Sequence, residues 1–96
     1  MTRRECLDAA AAAVLEERAR EYGNCFDRIS EMWSVYIGGK ITPSDVCAMM
    51  ALLKIARIAA NPEHMDSWVD LAGYAACGAE VIKPVPDPED EEISHE

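Results

Sequence analysis

Thr42-Pro43-Ser44-Asp45-Val46-Cys47-Ala48-Met49-Met50-Ala51-Leu52-Leu53-Lys54-Ile55-Ala56-Arg57-Ile58-Ala59-Ala60-Asn61-Pro62 is the stretch on which the fold turns. Its beginning is marked by three residues together. Thr42 offers a hydroxyl to the free amides of a first turn, Pro43 stands where its missing N–H does no harm, and Asp45 adds a carboxylate at the positive end of the helix. Asn61-Pro62 stops it. Between Val46 and Ala60 only Lys54 and Arg57 carry charge. A helix that is apolar nearly all round is covered by its neighbours, so this one is expected at the centre of a bundle.

The flanking sequence supplies the neighbours. A first helix is predicted from about Arg4 to Glu21, built on the alanines at 9 to 13, which are the best helix formers. Tyr22-Gly23-Asn24 is expected to break it, with Gly23 in a left-handed position and Asn24 capping the next helix. A second helix is predicted from about Cys25 to Ile37, with Phe26, Ile29, Met32, Trp33 and Tyr36 or Ile37 as its apolar stripe, ended by Gly38-Gly39. A fourth runs from about Glu63 to Ile82. Its core face is Trp68, Leu71, Ala72, Ala75, Ala79 and Ile82, and its small residues let another helix approach closely. No β pattern and no internal repeat is visible. The fold class is therefore all-α: a small four-helix bundle over residues 1–83.

Residues 84–96 read differently. Pro84-Val85-Pro86-Asp87-Pro88 and the acidic run after it can neither continue a helix nor bury a core, so a disordered acidic tail is expected. The tail carries six of the 18 acidic residues, and the remaining 12 against 9 Lys and Arg leave the body near −3 of the total −9. Non-specific binding to duplex nucleic acid needs a basic footprint, which this body does not have. The four cysteines, Cys6, Cys25, Cys47 and Cys77, form no C-x-x-C pair, so they read as reduced structural thiols. No stretch reaches the ~18 apolar residues of a membrane span, and a cytoplasmic protein is expected.

Lys54 and Arg57, three apart, share one side of the third helix. They can pair with carboxylates of a neighbouring helix, or they can face a pocket and hold an anion such as a phosphate. The fourth helix opens with Asp66 and Asp70 at i and i+4, with Tyr74 one turn further on. Such carboxylates can share a Mg²⁺ ion or neutralise Lys54 and Arg57 across the helix interface. Asp27 and Glu31 read as surface. His64 has no second His or Cys at ligand spacing. No G-x-S-x-G elbow or phosphate-binding glycine loop is present, which leaves out serine hydrolases, P-loop enzymes and Rossmann enzymes.

Taken together, Arg20-Glu21-Tyr22-Gly23, Phe26-Asp27-Arg28-Ile29, the cap Ile41 to Val46, Met49 to Arg57, and Asp66-Ser67-Trp68-Val69-Asp70-Leu71-Ala72-Gly73-Tyr74-Ala75 resemble a family of small, uncharacterised helical proteins of bacteriophage and prophage genomes. More distantly, Y-G … K-x-x-R … D-x-x-x-D-L-A-x-Y-A is similar to phage nucleotide-modification-associated domains and to the all-α MazG-like nucleoside triphosphate pyrophosphohydrolases. That resemblance implies a nucleotide or cyclic nucleotide as partner. Arg20, Lys54 and Arg57 would contact its phosphates, Tyr22 and Trp68 would stack on its base, and Asp66, Asp70 and Tyr74 would complete the site. Sequestering a nucleotide signal of host defence, in the cytoplasm of an infected or lysogenic host, is the expected use. The alternative is a Mg²⁺-dependent pyrophosphohydrolase with Asp66 and Asp70 at the metal, joined by Glu17, Glu21 or Glu31. The family signature spaces its acidic pairs three apart, whereas Glu17/Glu21 and Asp66/Asp70 are four apart. A third reading is a structural, protein-binding module. A homo-oligomer is expected in addition, because Trp33, Tyr36, Met49 and Met50 exceed what an ~80-residue bundle easily hides.

Overall fold

The computed structural model describes residues 1–82; from residue 17 to residue 24 the description is of the helical backbone alone. The expected tail, residues 84–96, lies outside the described residues. Four helices follow in order: α1 (Arg3–Leu15), α2 (Glu17–Ile37), α3 (Pro43–Ala60) and α4 (Met65–Val81), with no strand among the described residues.

The start of α3 is built as its residues dictate. Thr42 Oγ1 accepts the Asp45 amide at 3.1 Å while Asp45 Oδ2 accepts the Thr42 amide at 2.9 Å, a reciprocal capping box with Pro43 in the first turn. The same device opens α1, where Thr2 and Glu5 exchange bonds of 3.1 and 2.8 Å. That cap is written in the sequence as T-x-x-E, and a helix start at Arg4 passes over it. Gly38, at φ 77°, closes α2 in the left-handed region, and its amide donates to the Ser34 carbonyl at 2.9 Å. Ser34 Oγ then accepts the Ile41 amide at 2.8 Å and fixes the loop into α3.

Two expectations about the helices fail. The chain does not break at Tyr22-Gly23-Asn24: α2 runs through all three, and the break falls at Glu16, which is extended at φ −78°, ψ 172°. Glycine inside a helix costs only about 1 kcal/mol, which packing elsewhere can override. The turn at Glu16 returns α1 onto α4, where Ala10 and Val69 are buried and a Cβ on Gly73 would lie 3.2 Å from Val14 Cγ1. The second failure concerns α3. Val46 and Cys47 are fully buried, but Met49, Leu52, Leu53 and Ile55 are 38–63% exposed, so its outer side has no cover among the described residues.

The core sits where α2, α3 and α4 meet. Phe26, Val46 and Cys47 are buried, with Ile29, Trp33, Ile41, Met50, Tyr74, Cys77 and Val81 packed around them. Trp33 belongs to this cluster, as the α2 stripe predicts, and so does Met50, expected on an exposed face together with Trp33. Tyr36 and Met49 are exposed as that face requires, and neither Tyr36 nor Ile37 continues the stripe. On α2 the inward positions are Phe26, Ile29, Ser30 and Trp33. Met32, expected in the apolar stripe, is 64% exposed, and Ser30 is buried in its place with its hydroxyl bonded to the Asp27 carbonyl at 2.7 Å. Trp68, expected on the core face of α4, is exposed as well. Burying a side chain such as Phe26 or Val46 contributes roughly 1.5–3 kcal/mol, so this small cluster carries much of the fold.

Candidate functional site

The interface between α3 and α4 is where the sequence concentrates its unusual residues, and small side chains set its spacing. A Cβ placed on Gly78 would lie 3.3 Å from the Cys47 Cβ, which shows how closely the two helices approach there. Above Gly78, Tyr74 packs its ring edge-on to Phe26, with centroids 6.5 Å apart and planes at 69°. Around them lies a shallow apolar groove of about 220 Å³, walled by Ser44, Cys47, Ala48 and Ala51 of α3, Tyr74, Ala75 and Gly78 of α4, and Ile82. The small residues of α4 were legible as a close-approach face. The matching pair Ala48 and Ala51 was not singled out, although their spacing places them on one side of α3.

One turn beyond the groove, Lys54 Nζ meets Asp70 Oδ2 at 3.0 Å; the lysine side chain is 14% exposed and the aspartate 41%. The spacing explains the encounter. Lys54 follows Ala51 by three residues and Asp70 precedes Tyr74 by four, so both side chains leave the same end of the interface. Arg57, a further turn along α3, is exposed and has no ion pair among the described residues. Asp66 is exposed in the first turn of α4. Of the residues named from sequence, the interface thus brings together Lys54 and Asp70, with Tyr74 on the groove wall, and leaves Arg57 and Asp66 to solvent. Neither Lys54 nor Arg57 lines the groove.

Trp68 stands apart from that cluster. It is 42% exposed, and its indole Nε1 donates to the Pro62 carbonyl at 2.9 Å, which pins the ring against the loop that precedes α4. His64 Nδ1 lies 2.8 Å from the hydroxyl of the fully buried Ser67, so the histidine closes the start of α4. Among the described residues no three of His, Cys, Asp or Glu gather as a metal site. Arg20, Tyr22, Glu17 and Glu21 lie where side chains are outside the description. The four cysteines are free thiols. Burial pushes the Cys47 thiol up, with Cys77 adding to it, and burial followed by Glu80 does the same to Cys77. Raised thiols are poor nucleophiles, so these two belong to the packing.

Comparison with known proteins gives a consistent origin. The family model for a domain of unknown function (DUF6378) matches residues 5–82. The chain is 42% identical over 89 residues to the Gene 55 protein of Mycobacterium phage L5, covering 88% of this chain and 54% of that protein. It is 38% identical over 74 residues to the Gene 55 protein of Mycobacterium phage D29, covering 74% of this chain and 49% of that one. The chain thus spans about half the length of these relatives. No solved structure matches it. No helix among the described residues is long and apolar enough to cross a membrane.

Proposed function

The chain belongs to the DUF6378 family, with phage proteins among its relatives, and on that footing we propose that it binds a nucleotide or cyclic nucleotide through its phosphates at the Lys54–Arg57 edge of α3. The observation that carries this reading is the pair of cations one helical turn apart, only one of which has a carboxylate partner among the described residues. Arg57 is exposed and unpaired among the described residues. Lys54 is held by an aspartate that is itself 41% exposed. A half-exposed ion pair contributes only about 1 kcal/mol or less, so an incoming phosphate can take the lysine from Asp70 at small cost. Arg57 then supplies a second, forked set of donors. Asp66, Asp70 and Tyr74 share one side of α4, while Trp68, which stands apart from them with its N–H engaged, is proposed as a stacking contact from sequence alone. Arg20 and Tyr22 are proposed as further contacts from sequence.

Binding without turnover is preferred to hydrolysis. A pyrophosphohydrolase needs several carboxylates around its Mg²⁺, and the acidic pairs of its signature stand three apart, whereas Glu17/Glu21 and Asp66/Asp70 stand four apart. Sequestration of a host nucleotide signal is the use that fits a binder of this kind. The second reading, a protein-interaction module, is favoured by a separate observation: the uncovered apolar side of α3.

A thermal-shift screen across mono-, di-, tri- and cyclic nucleotides, with and without Mg²⁺, tests the proposal. A ligand at about 100 times its Kd adds roughly 2.7 kcal/mol, which in a domain of this size raises the melting temperature by about 10 °C or more. Arg57→Ala should weaken the hit at least about tenfold, the loss of one charge-assisted contact, and chromatography should return the nucleotide intact. Recovery of hydrolysed product would favour the enzyme. A flat screen would end the nucleotide reading.

A further inference from the structure

Among the described residues, the outer side of α3 is a helix face without a cover. Ala48, Met49, Leu52, Leu53, Ile55 and Ala56 are all exposed, with Leu52, at 63%, in the middle. The spacing Ala48, Leu52, Ile55 is the four-three step of a helix seam. Lys54 lies off this face, since it points to Asp70, while Arg57, four residues after Leu53, stands at its edge. Asp45, four residues before Met49, is the charge at the N-terminal end of that edge.

We propose that this face binds a second copy of the chain, α3 packed antiparallel on α3 about a two-fold axis passing beside Leu52. The proposal is independent of nucleotide binding. Three observations select this occupant. The first is area: the exposed parts of these six residues amount to on the order of 500 Å² per copy, so an isologous pair buries about 1,000 Å², the extent a specific interface has to reach. The second is shape. The two-fold brings Ile55 of the second copy to the level of Met49, one residue from Ala48, because Ile55 stands three after Leu52 and Met49 three before it. Ala48 is the point at which the outer face runs into the apolar groove walled by Ala51, Tyr74, Ala75, Gly78 and Ile82. A branched aliphatic side chain arriving there meets small residues that leave it room. The third is charge. A parallel pair would set Asp45 against Asp45, whereas the antiparallel pair moves them about 20 Å apart along the axis at 1.5 Å per residue and opposes the helix dipoles.

The same observations count against a lipid surface. A chain of net charge −9 is repelled by anionic headgroups.

Equilibrium sedimentation at about 50 µM, well above the Kd of a micromolar dimer, should find the full chain dimeric. Leu52→Glu and Leu52→Lys should each be monomeric with an unchanged helical circular dichroism spectrum, since the residue is exposed in the single chain. Mixing the two variants in equal amounts should restore the dimer, because a residue beside a two-fold axis meets its own counterpart. A monomeric parent chain, a dimer that survives either variant, or a mixture that stays monomeric overturns the proposal. Should both variants unfold, Leu52→Asn supplies the same reading with a smaller perturbation, and a folded dimer of that variant with undiminished affinity counts against it.

Discussion

Lys54 and Asp70 close a 3.0 Å ion pair between the middle of α3 and the first half of α4, about two turns along the interface from the close approach of Gly78 to Cys47. The two ends of the pair sit in different surroundings. Lys54 is largely covered by the helices, whereas Asp70 is open on one side. Solvent therefore reaches the pair from the aspartate's side, while the lysine is held by the helices around it.

A double-mutant cycle measures how much this pair holds the bundle. Asp70→Asn and Lys54→Met should each destabilise by about 1 kcal/mol in urea unfolding, and the double variant by little more than either alone, giving a coupling of about 0.5–1 kcal/mol. A coupling near zero would mean that the pair is incidental to the fold. A far larger coupling would mean that the site is drier than its exposure indicates.

Two glycines of α4 separate helix propensity from packing. Alanine in a helix interior is favoured over glycine by about 1 kcal/mol. At Gly73 the new methyl meets Val14 Cγ1, a side-chain end on α1, at 3.2 Å, and small shifts of that side chain can accommodate it. At Gly78 it meets the Cys47 Cβ at 3.3 Å, and Cβ moves only with the backbone of a fully buried residue. Thermal melts should show Gly73→Ala within about 0.5 kcal/mol of the parent, and Gly78→Ala destabilised by about 1–2 kcal/mol. The reverse order would mean that α1, not α3, is the more tightly packed neighbour of α4.

The parts of this architecture that were legible in the sequence are those with local chemistry. Thr42, Pro43 and Asp45 announce α3, Gly38 ends α2, and Asn61-Pro62 ends α3, because caps and stops are decided within a turn of chain. The parts that were not legible depend on contacts between distant segments. Nothing in Leu15-Glu16-Glu17 marks a break. The chain turns there because α1 must lie on α4, and Gly23, an apparent breaker, is carried inside α2. The apolar length of α3 was read as burial, yet a monomer with few large side chains cannot cover it on every side. At the candidate site, the Lys54–Asp70 pair follows from residue spacing, whereas the groove beside it depends on how closely Gly78 approaches Cys47, which no spacing rule gives.

Thiol chemistry tests the core directly. Cys47 is 1% exposed and its thiol is pushed up by burial and by Cys77 beside it, while burial and Glu80 raise Cys77. At pH near 7.5 both should therefore hold less thiolate than an ordinary cysteine, whose value is about 8.5. Peptide-resolved alkylation with iodoacetamide should label Cys47 and Cys77 much more slowly in the native chain than in denaturant, with the rates rising as pH is raised. Equal labelling of Cys47 in the two states would show that α3 and α4 separate readily.

The cap of α3 gives a pH signature whose sign can be worked out. Asp45 accepts the Thr42 backbone amide and then its side-chain contact, and both hold its carboxyl below the usual value; Glu5 is lowered in the same way by Thr2. A group depressed in the folded state stabilises fully above its unfolded value, about 3.9 for Asp, and loses that contribution as pH falls through the lower folded value. Thr42→Ala should cost about 1 kcal/mol near neutral pH, since it removes the hydroxyl that satisfies the Asp45 amide. Asp45→Asn should lower the melting temperature by a constant interval from about pH 5 upward, and that interval should shrink toward zero below about pH 4, where the parent carboxyl protonates. An interval that stays constant into acid would show that the charge on Asp45 contributes nothing and that the backbone bond alone makes the cap.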